Sequence, residues 1–412
     1  MIASTVVNTD LVTPLGAYLH LRSLGRASFL LESVEQGRLG RYSLVGCGDR
    51  IVSFAEAEGA ASPVVGYLSY DHVATLEPTV ELPDAGPDLP ESRFVVADIL
   101  IRFDHAAGFA EVLAGDPQEV TRLLQTPIPP LPPAPNGSRG ATKRLPSRFD
   151  YERGVDTCRE HIKRGDAFQI VLSQRAERRT SVSPLQIYRS LRRVNPSPYL
   201  FLLELDGLAL VGSSPETLVR CEEGRASVNP IAGSTDPGEG DAERLLASEK
   251  DRAEHVMLVD LGRNDLSRVC LPGTVRVARF LEAERFSHVT HLVSEVAGEL
   301  YPEVSHFDLL RACFPAGTVS GAPKVRAMQI IAELERYRRG PYAGAVLYAL
   351  PGEALDACIA IRTVVLHDGV ALLQAGAGIV ADSDPAAEHD ECLRKLAALE
   401  MAIELAEARS AA

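Results

Sequence analysis

The sequence has 412 residues, of which 46% are apolar and 24% charged, as in an ordinary enzyme with one large core or two closely packed ones. Its formal net charge of −14, without any Lys/Arg block, disfavours a nucleic acid or an anionic membrane surface as partner, since both require a basic patch. An anionic substrate would bind only where local cations or a metal reverse this field.

Targeting signals and disulfides are not predicted. No stretch has the length of an apolar membrane span, and the N-terminal segment MIASTVVNTDLVTPLG lacks the basic start and long apolar run of a signal peptide. The cysteines are scattered, without a C-x-x-C pair: Cys47, Cys158, Cys221, Cys270, Cys313, Cys358 and Cys392. This pattern predicts reduced thiols in a cytoplasmic protein.

The first part of the chain, residues 1–125, contains the strand-like runs VVGYLSYD and ESRFVVADILIRFD. Residues 126–140 are rich in Pro, Gly and Ser and cannot form a helix or a central strand. We therefore predict an N-terminal part, a Pro-rich linker over residues 126–147, and a larger C-terminal part over residues 148–412.

After this linker, helical and strand-like segments alternate. A helix is predicted near residues 149–163 and a strand over residues 167–175, and D-G between the apolar runs YLFLLEL and LALVGSS indicates a hairpin. Helical patterns occupy residues 242–266 and 384–408, with three strand-like runs between them. Hairpins and long helices together predict an α+β fold, in which helices cover large antiparallel sheets.

Two of the helical segments carry a pair of carboxylates on one face. Asp251 and Glu254 are three residues apart, as are Glu388 and Glu391, and Lys395 follows Glu391 by one turn. Carboxylates from two helices that meet across a cleft could hold Mg²⁺ and leave positions for water and substrate oxygens. The alternative is two solvated helix faces, with Glu391 and Lys395 as an ordinary i,i+4 pair.

Three single residues stand in unusual surroundings. Arg362 lies in the apolar run AIAIRTVV and requires an anionic partner if it is buried, whether a structural carboxylate or a substrate. Glu216 follows a strand end and a proline, where burial would raise its pKa and suit it to general acid catalysis. His291 lies in an apolar run, where a histidine is more often structural than catalytic.

Two segments are rich in small residues. FPAGTVSGAPKVRAM leads into a helix whose free N–H groups favour a carboxylate, and glycines interrupt the strand LQAGAGIVAD, which often marks the close approach of a ligand. A plain loop and turn geometry explain these segments nearly as well. The residues alone thus indicate a cytoplasmic Mg²⁺ enzyme that acts on a small carboxylate.

Taken together and in order, these motifs resemble the chorismate-utilising enzymes, most closely their anthranilate synthase branch. The strings that carry the resemblance are GDAFQIVLSQR, NPSPYLFLLEL, VGSSPE, PIAGS, AEHVMLVDLGRNDLSRVC, SHVTHLVSEVAGEL, RACFPAGTVSGAPKVRAM, GPYAGAVLY, IAIRT and QAGAGIVADS. A further string, SFLLESVEQGRLGRYSLVG, extends it into the N-terminal part. The resemblance implies the anthranilate synthase component I-like fold, with large antiparallel sheets packed face to face and the active site in the cleft between subdomains.

The resemblance also implies a metal and a substrate site. Glu254 and Glu391 correspond to the Mg²⁺ ligands, with Asp251 and Glu388 close by; relatives usually have Glu where Asp251 stands. The chorismate contacts that it implies are Gly233, Ser234, Tyr342, Arg362, Gly376, Ala377, Gly378 and Lys395. Arg362, Lys395 and Mg²⁺ would allow an acidic protein to bind a dicarboxylate.

Catalytic positions follow from the same resemblance: Glu216 corresponds to a general acid, and His291 and Thr318 to further active-site residues. Isochorismate and salicylate synthases carry a water-activating lysine where this chain has Gln169, and aminodeoxychorismate synthase commonly has Lys at the position of Ala232. Both residues favour attack of ammonia at C2, followed by loss of pyruvate to give anthranilate, the first step of tryptophan biosynthesis. The ammonia is expected from a separate glutamine amidotransferase subunit, because no glutaminase motif is recognised.

A feedback site is the last feature that the resemblance implies. LLES and NPSPY resemble the segments that bind tryptophan as an inhibitor in the family, so Glu32 would take the amino group of tryptophan and Ser33 its polar atoms. The other implied effector residues are Pro198, Tyr199 and Leu200. A strand edge that meets a turn is the plain structural alternative.

One segment departs from the family pattern. Relatives usually read PIAGTRxRG before a longer acidic stretch, whereas this chain reads PIAGSTDPGEGDAERLL, with Ser234 for Thr and a deletion before Asp251. The other duties of this loop, including closure of the site, are therefore in question. The rival interpretations are a 2-amino-2-deoxyisochorismate synthase that retains the pyruvyl group, an aminodeoxychorismate synthase, and a non-catalytic tryptophan-binding relative.

Overall fold

The computed structural model of the chain describes residues 6–9, 12–33, 41–131, 140–235, 238, 240–285 and 290–410. The helices in this part are α1 (Pro14–Leu21), α2 (Phe54–Glu58), α3 (Val73–Leu76), α4 (Pro117–Leu124), α5 (Arg148–Lys163), α6 (Pro184–Val194), α7 (Asp241–Ala247), α8 (Glu249–Ser267), α9 (His306–Cys313), α10 (Lys324–Leu334) and α11 (Pro385–Ser410). The strands are β1 (Val6–Asn8), β2 (Ala27–Glu32), β3 (Tyr42–Gly48), β4 (Ile51–Val52), β5 (Val64–Leu68), β6 (Ser92–Val96), β7 (Ile99–Asp104), β8 (Phe109–Ala114), β9 (Lys143–Leu145), β10 (Gln169–Arg179), β11 (Tyr199–Leu205), β12 (Leu208–Ser214), β13 (Thr217–Glu222), β14 (Arg225–Val228), β15 (Ile231–Thr235), β16 (Arg276–Arg285), β17 (Thr290–Glu299), β18 (Gly321–Ala322), β19 (Ala345–Leu350), β20 (Ala354–Ile359), β21 (Thr363–His367) and β22 (Val370–Ile379).

These strands form two large antiparallel sheets. The first sheet has 12 strands in the order β1-β8-β7-β3-β2-β11-β12-β21-β22-β10-β18, with β9 paired to β10. The second has 10 strands in the order β15-β17-β14-β13-β20-β19-β5-β6-β4, with β16 paired to β17. The predicted α+β class with large antiparallel sheets is confirmed.

The core consists of three layers of apolar contacts around these sheets. Phe29 and Leu210 of the first sheet pack in one cluster with Tyr67 and Val346 of the second, so the sheets face each other. A second cluster joins the outer face of the first sheet to α1, α6 and α11, and a third joins the second sheet to α8 and α9. Full burial of each large apolar side chain contributes about 1.5–3 kcal/mol.

Strands from both sides of the Pro-rich segment contribute to each sheet. In the first sheet β2 pairs with β11, and in the second β5 pairs with β19. Strand β9 lies inside the segment predicted as a linker and pairs with β10. Residues 132–139 of that segment lie outside the described residues, and the division at residues 126–147 stays a prediction.

The strongest local patterns correspond to the observed elements. The predicted helix near residues 149–163 is α5, the pattern over residues 384–408 is α11, and the D-G dipeptide joins β11 to β12. The pattern over residues 242–266 forms two helices instead of one, because Ser248 has extended backbone angles and caps the start of α8. Four strands, β19 to β22, occupy the region where three were predicted.

The sequence predicted reduced cysteines and no membrane-spanning segment. All seven cysteines are buried and free. None of the helices in the described part of the chain combines the length and the apolar character that a bilayer crossing requires.

Candidate active site

Strand β22 supplies a backbone wall that only glycine permits at two positions. An added Cβ at Gly378 would lie 2.3 Å from Nε2 of Gln169, and one at Gly376 would lie 2.9 Å from the hydroxyl of Tyr342. Between them, Ala377 is fully buried in the core and offers only its backbone. The glycines noticed in the sequence therefore bring two polar side chains against this strand.

Helix α11 places a cation directly over the same wall. Lys395 Nζ donates a hydrogen bond of 2.8 Å to the carbonyl oxygen of Gly376 and lies 2.7 Å from Glu391 Oε1. The i,i+4 pair expected from spacing is thus present, and its lysine is fixed to the glycine strand. Glu388 lies one turn before Glu391 on α11. It is half-buried, and its charge helps to raise the pKa of Tyr151.

Helix α8 reaches this wall from the other side. Gln169, 4% exposed, donates from Nε2 to Glu254 Oε1 at 3.3 Å. Its Oε1 atom is buried and has no hydrogen-bond partner within the described residues. Asp251 lies in the first turn of α8, where an added Cβ at Gly233 would come within 3.2 Å of its Cβ. One member of each predicted carboxylate pair thus lies next to β10 or β22, Glu254 through Gln169 of β10 and Glu391 through Lys395 on Gly376 of β22.

These carboxylates suit Mg²⁺ chemically. In the described ranges, no group of three or more His, Cys, Asp or Glu residues is placed to hold a metal ion. Mg²⁺ prefers oxygen ligands and is commonly bound by one or two carboxylates, with water and substrate oxygens as the remaining ligands. Glu254, beside the unpartnered amide oxygen of Gln169, and Glu391, on a separate helix beside Lys395, fit that mode and not an all-protein cage.

Glu216 lies in a cavity of about 410 Å³ that is also lined by Thr217, Asp265 and Thr318; we call it the Glu216 cavity. Burial raises the pKa of Glu216 to about 7, and the Thr318 hydroxyl and the Lys395 charge oppose this rise. A carboxyl group with this pKa is substantially protonated near neutrality and can act as a general acid. Thr318 belongs to a short 3₁₀ segment, Gly317–Val319, that faces the cavity.

His291 is held on β17, next to β15. Its Nδ1–H donates to the carbonyl oxygen of Gly233 at 3.0 Å, because a carbonyl can only accept, and this leaves Nε2 as the basic nitrogen. Burial lowers the pKa of His291, and the nearby charge of Arg362 lowers it further. Gly233 has φ +71° at a bulge in β15, whereas the side chain of Ser234 lies outside the described residues.

Arg362 presents its guanidinium beside Tyr342. Burial lowers the pKa of Arg362, while Tyr342 and Glu391 act in the opposite direction. Within the described residues no carboxylate lies within 4.0 Å of this guanidinium, so the structural carboxylate considered as its partner is not found there. Its φ of +50° is rare for a non-glycine residue and is typical of functional sites.

Charge effects connect the members of this site. Lys395 acts on Glu216, Arg362 acts on His291, and Glu391 acts on Arg362. Glu216, His291, Arg362, Glu391 and Lys395 therefore lie close enough to influence one another, while the catalytic, substrate and metal roles of the predicted residues stay predictions.

The five predicted effector residues lie in a different place. Glu32, Ser33, Pro198, Tyr199 and Leu200 all line a cavity of about 630 Å³ between the two sheets, which we call the intersheet cavity. The Ser33 hydroxyl is buried and has no hydrogen-bond partner in the described part of the chain.

Glu32 and a second acid supply the negative charge of this cavity. The carboxylate of Glu32 accepts from the Tyr188 hydroxyl and lies 3.3 Å from Arg192 NH2. Asp356 also lines the cavity, and Tyr199 donates to it at 3.1 Å. Burial raises the pKa of Asp356 to about 6, although Arg220 and Tyr199 favour its ionised form.

Sequence reasoning missed Asp356, and a signal for it existed. Asp356 is a lone carboxylate in the apolar run EALDACIAI, as Arg362 is a lone cation a few residues later. The argument that singled out Arg362 applies equally to an acid in such a strand.

The chain is similar to known proteins over nearly its whole length. The model of the family described as chorismate binding enzyme matches residues 33–401. The chain is 44% identical to anthranilate synthase component 1 of Streptomyces coelicolor, over 97% of this chain and 88% of that one. It is 41% identical to anthranilate synthase component 1 of Thermus thermophilus, over 97% of each.

A solved structure shows the same architecture. The crystal structure of anthranilate synthase component I from Streptococcus pneumoniae TIGR4 matches with a TM-score of 0.80 at 32% identity, covering 98% of this chain and 100% of that one. The similarity thus extends over nearly the whole fold, including both sheets.

Proposed function

This chain belongs to the chorismate-binding enzyme family, and within it we propose that the chain is an anthranilate synthase component, which converts chorismate and ammonia to anthranilate, pyruvate and water. Relatives that share over 40% of its sequence across nearly their full length carry that name. Within the site, the proposal rests on the position of Gln169. Its side-chain amide contacts Glu254 of α8 and lies against Gly378 of β22.

An amide at this position selects the nucleophile. Water needs a base to become a good nucleophile, and the amide of Gln169 cannot accept a proton at neutral pH. Ammonia in its neutral form attacks without such a base. Gln169 therefore supports amination at C2 over hydration, as Ala232 supports C2 over the four-amino branch.

Substrate binding is assigned to the cations and the glycine wall. Arg362, which lacks a described carboxylate within salt-bridge distance, and Lys395 would pair with the two carboxylates of chorismate. Tyr342 and the backbone of Gly376, Ala377 and Gly378 form the surface behind the ring. Glu254 and Glu391 would hold Mg²⁺, with Asp251 and Glu388 near it, and the ion would neutralise and orient the ring carboxylate.

Two side chains handle the protons. Glu216 donates its proton to the C4 hydroxyl, which leaves as water while ammonia forms the bond to C2. His291, neutral and with Nδ1–H fixed on Gly233, presents Nε2 to take the C2 proton as the C3–O bond breaks and pyruvate is released. Thr318 is placed beside Glu216 and supports its orientation. Aromatisation of the ring makes the second step strongly favourable.

Partners and location are part of the same proposal. A separate glutamine amidotransferase subunit would supply ammonia, and tryptophan would inhibit by occupying the intersheet cavity. The cavity supports this assignment, because its lining is mostly apolar and offers two carboxylates and the buried hydroxyl of Ser33, which has no partner in the described part of the chain. Seven buried free cysteines favour the reducing environment of the cytoplasm.

The test is the product formed by the purified chain from chorismate, Mg²⁺ and ammonium at alkaline pH. We expect fluorescent anthranilate and an equal amount of pyruvate. A non-aromatic amino product without pyruvate would instead assign a 2-amino-2-deoxyisochorismate synthase. Absence of turnover with a glutaminase partner present would refute the enzymatic proposal and favour a tryptophan-binding relative.

A further inference from the structure

One hydroxyl contact joins the intersheet cavity to the Glu216 cavity. Tyr199, on β11 of the first sheet, lines the intersheet cavity, and Thr217, on β13 of the second sheet, lines the Glu216 cavity. The Tyr199 hydroxyl and Thr217 Oγ1 are 2.8 Å apart. The Tyr199 hydroxyl also donates to Asp356 Oδ1, so its single proton is used and Thr217 is the donor in the contact between them.

The backbone next to Thr217 is anchored to the same walls. The N–H of Ile359 donates to the carbonyl oxygen of Glu216 at 3.1 Å, and the N–H of Glu216 donates to Ser214 Oγ at 3.4 Å. Thr217 pairs with Cys358, which itself lines the intersheet cavity. The position of Glu216 is thus set by strands that also enclose the other cavity.

Strand β13 is irregular at this point. Its register with β20 shifts between Thr217 and Val219, which marks a bulge. A bulge leaves one residue unpaired, bends the strand and redirects neighbouring side chains. Because general acid catalysis requires hydrogen-bond reach to the leaving group, a small displacement of β13 changes how well Glu216 donates its proton.

We propose that Thr217 is a positioning residue for Glu216, and that its contact with Tyr199 transmits occupancy of the intersheet cavity to the catalytic carboxyl. Because Glu32 is already engaged by Tyr188 and Arg192, the ligand ammonium is placed at Asp356 and not at Glu32. There it competes with the Tyr199 phenol for the carboxylate oxygens. Tyr199 then loses a partner, its bond to Thr217 is disturbed, and β13 relaxes around the bulge. The inference rests on the proposed function for the identity of both ligands, tryptophan and chorismate.

The measured quantity is the coupling factor, the ratio of tryptophan dissociation constants with and without saturating chorismate in the absence of ammonia. The chain contains no tryptophan residue, so the fluorescence of the bound ligand can be followed without protein background. Coupling factors between two sites are typically about 5–150. Thr217→Val removes the hydroxyl and keeps the shape of the side chain, and Thr217 does not line the intersheet cavity.

We expect Thr217→Val to bind tryptophan and to lower the coupling factor by at least about fivefold, toward one. Thr217→Ser, which keeps a hydroxyl, should restore it. Tyr42→Phe is the matched control, because Tyr42 lines the intersheet cavity from β3, where it is paired with Asp104, and its coupling factor should stay at the wild-type value. If Thr217→Val does not fold, Thr217→Ala removes the same hydroxyl with a smaller side chain, leaves the Tyr199–Asp356 bond in place and decides in the same way.

A wild-type coupling factor in Thr217→Val would overturn the inference. An equal loss of coupling in Thr217→Ser or in Tyr42→Phe would overturn it as well. Failure of the proposed function has a different signature: the wild-type chain would then form no anthranilate, or would not bind tryptophan at all.

Discussion

The intersheet cavity contains one buried carboxyl whose pKa is raised, Asp356, and the Glu216 cavity contains two, Glu216 and Asp265. Asp265 is paired with Lys324 at 2.8 Å, whereas Asp356 and Glu216 differ in their hydrogen-bond donors. Asp356 accepts from Tyr199 and has Arg220 at 3.7 Å, and its pKa rises only to about 6. Glu216 is opposed only by the Thr318 hydroxyl and the more remote charge of Lys395, and its pKa rises to about 7.

Near neutral pH this difference separates the two roles. Asp356 is mostly ionised and can hold a ligand cation, whereas about half of Glu216 still carries the proton that it must donate. Burial is the largest cause of both rises, and it starts from 3.8 for Asp356 and from 4.5 for Glu216, so most of the difference between the two pKa values is the ordinary difference between an aspartate and a glutamate.

The largest expected effect is the loss of the proton that Glu216 donates. Glu216→Gln keeps the shape of the side chain and cannot act as an acid, so kcat for anthranilate formation should fall by about 10²–10⁴-fold. Stopped assays of anthranilate and pyruvate measure it. Tryptophan should bind this variant as it binds the wild type, because Glu216 does not line the intersheet cavity. A fall in kcat below about tenfold would assign the proton donor elsewhere.

A second test addresses the carboxylates that flank the glycine wall. Glu254→Gln and Glu391→Gln should each raise the Mg²⁺ concentration for half-maximal activity by at least about 10–100-fold, since changes even to outer-shell partners of a metal have effects of this size. Glu400→Gln is the matched control on α11, because Glu400 pairs with Arg144 at 2.6 Å. An unchanged Mg²⁺ requirement in both variants would refute the assigned ligands.

The elements of the fold that the sequence could predict are those with signals from residues close together in the chain. The amphipathic pattern of α5, the D-G turn after β11 and the long helix α11 each depend on neighbours in sequence. The break between α7 and α8 also had a local signal: Ser248 followed by Asp251 is a helix N-cap pattern, and the Ser248 Oγ accepts from the Asp251 N–H at 3.3 Å.

Other parts depend on contacts between residues far apart in the chain. Gln169 and Glu254 are 85 positions apart, and Tyr199 and Asp356 are 157 apart. Spacing within one helix could pair Glu391 with Lys395, but it could not show that Lys395 also contacts Gly376 on the preceding strand. The resemblance to known enzymes supplied these long-range relations for the site residues, and it did not supply the Tyr199–Thr217 contact between the cavities.

The smallest expected effect is the pH dependence of tryptophan binding in the intersheet cavity, which tests the role of Asp356. Because the pKa of Asp356 is raised to about 6, this carboxylate is ionised above that pH and becomes neutral as the pH falls below it. Tryptophan keeps its own charges between about pH 4 and pH 8, so its dissociation constant should be constant above about pH 6 and rise up to about tenfold per pH unit below it. Fluorescence titration of the ligand measures this dependence.

Asp356→Asn decides which acid is responsible. Glu222 and Arg220 face Asp356 from β13, and Glu32 is the other acid of the cavity, already engaged by Tyr188 and Arg192. If Asp356 holds the ligand, the variant should bind tryptophan more weakly and with little dependence on pH between about 5 and 7. If tryptophan binding to Asp356→Asn still weakens as the pH falls, Glu32 carries the charge that binds the ligand. Asp356 would then have a structural role, and Glu216 would remain the reactive carboxyl.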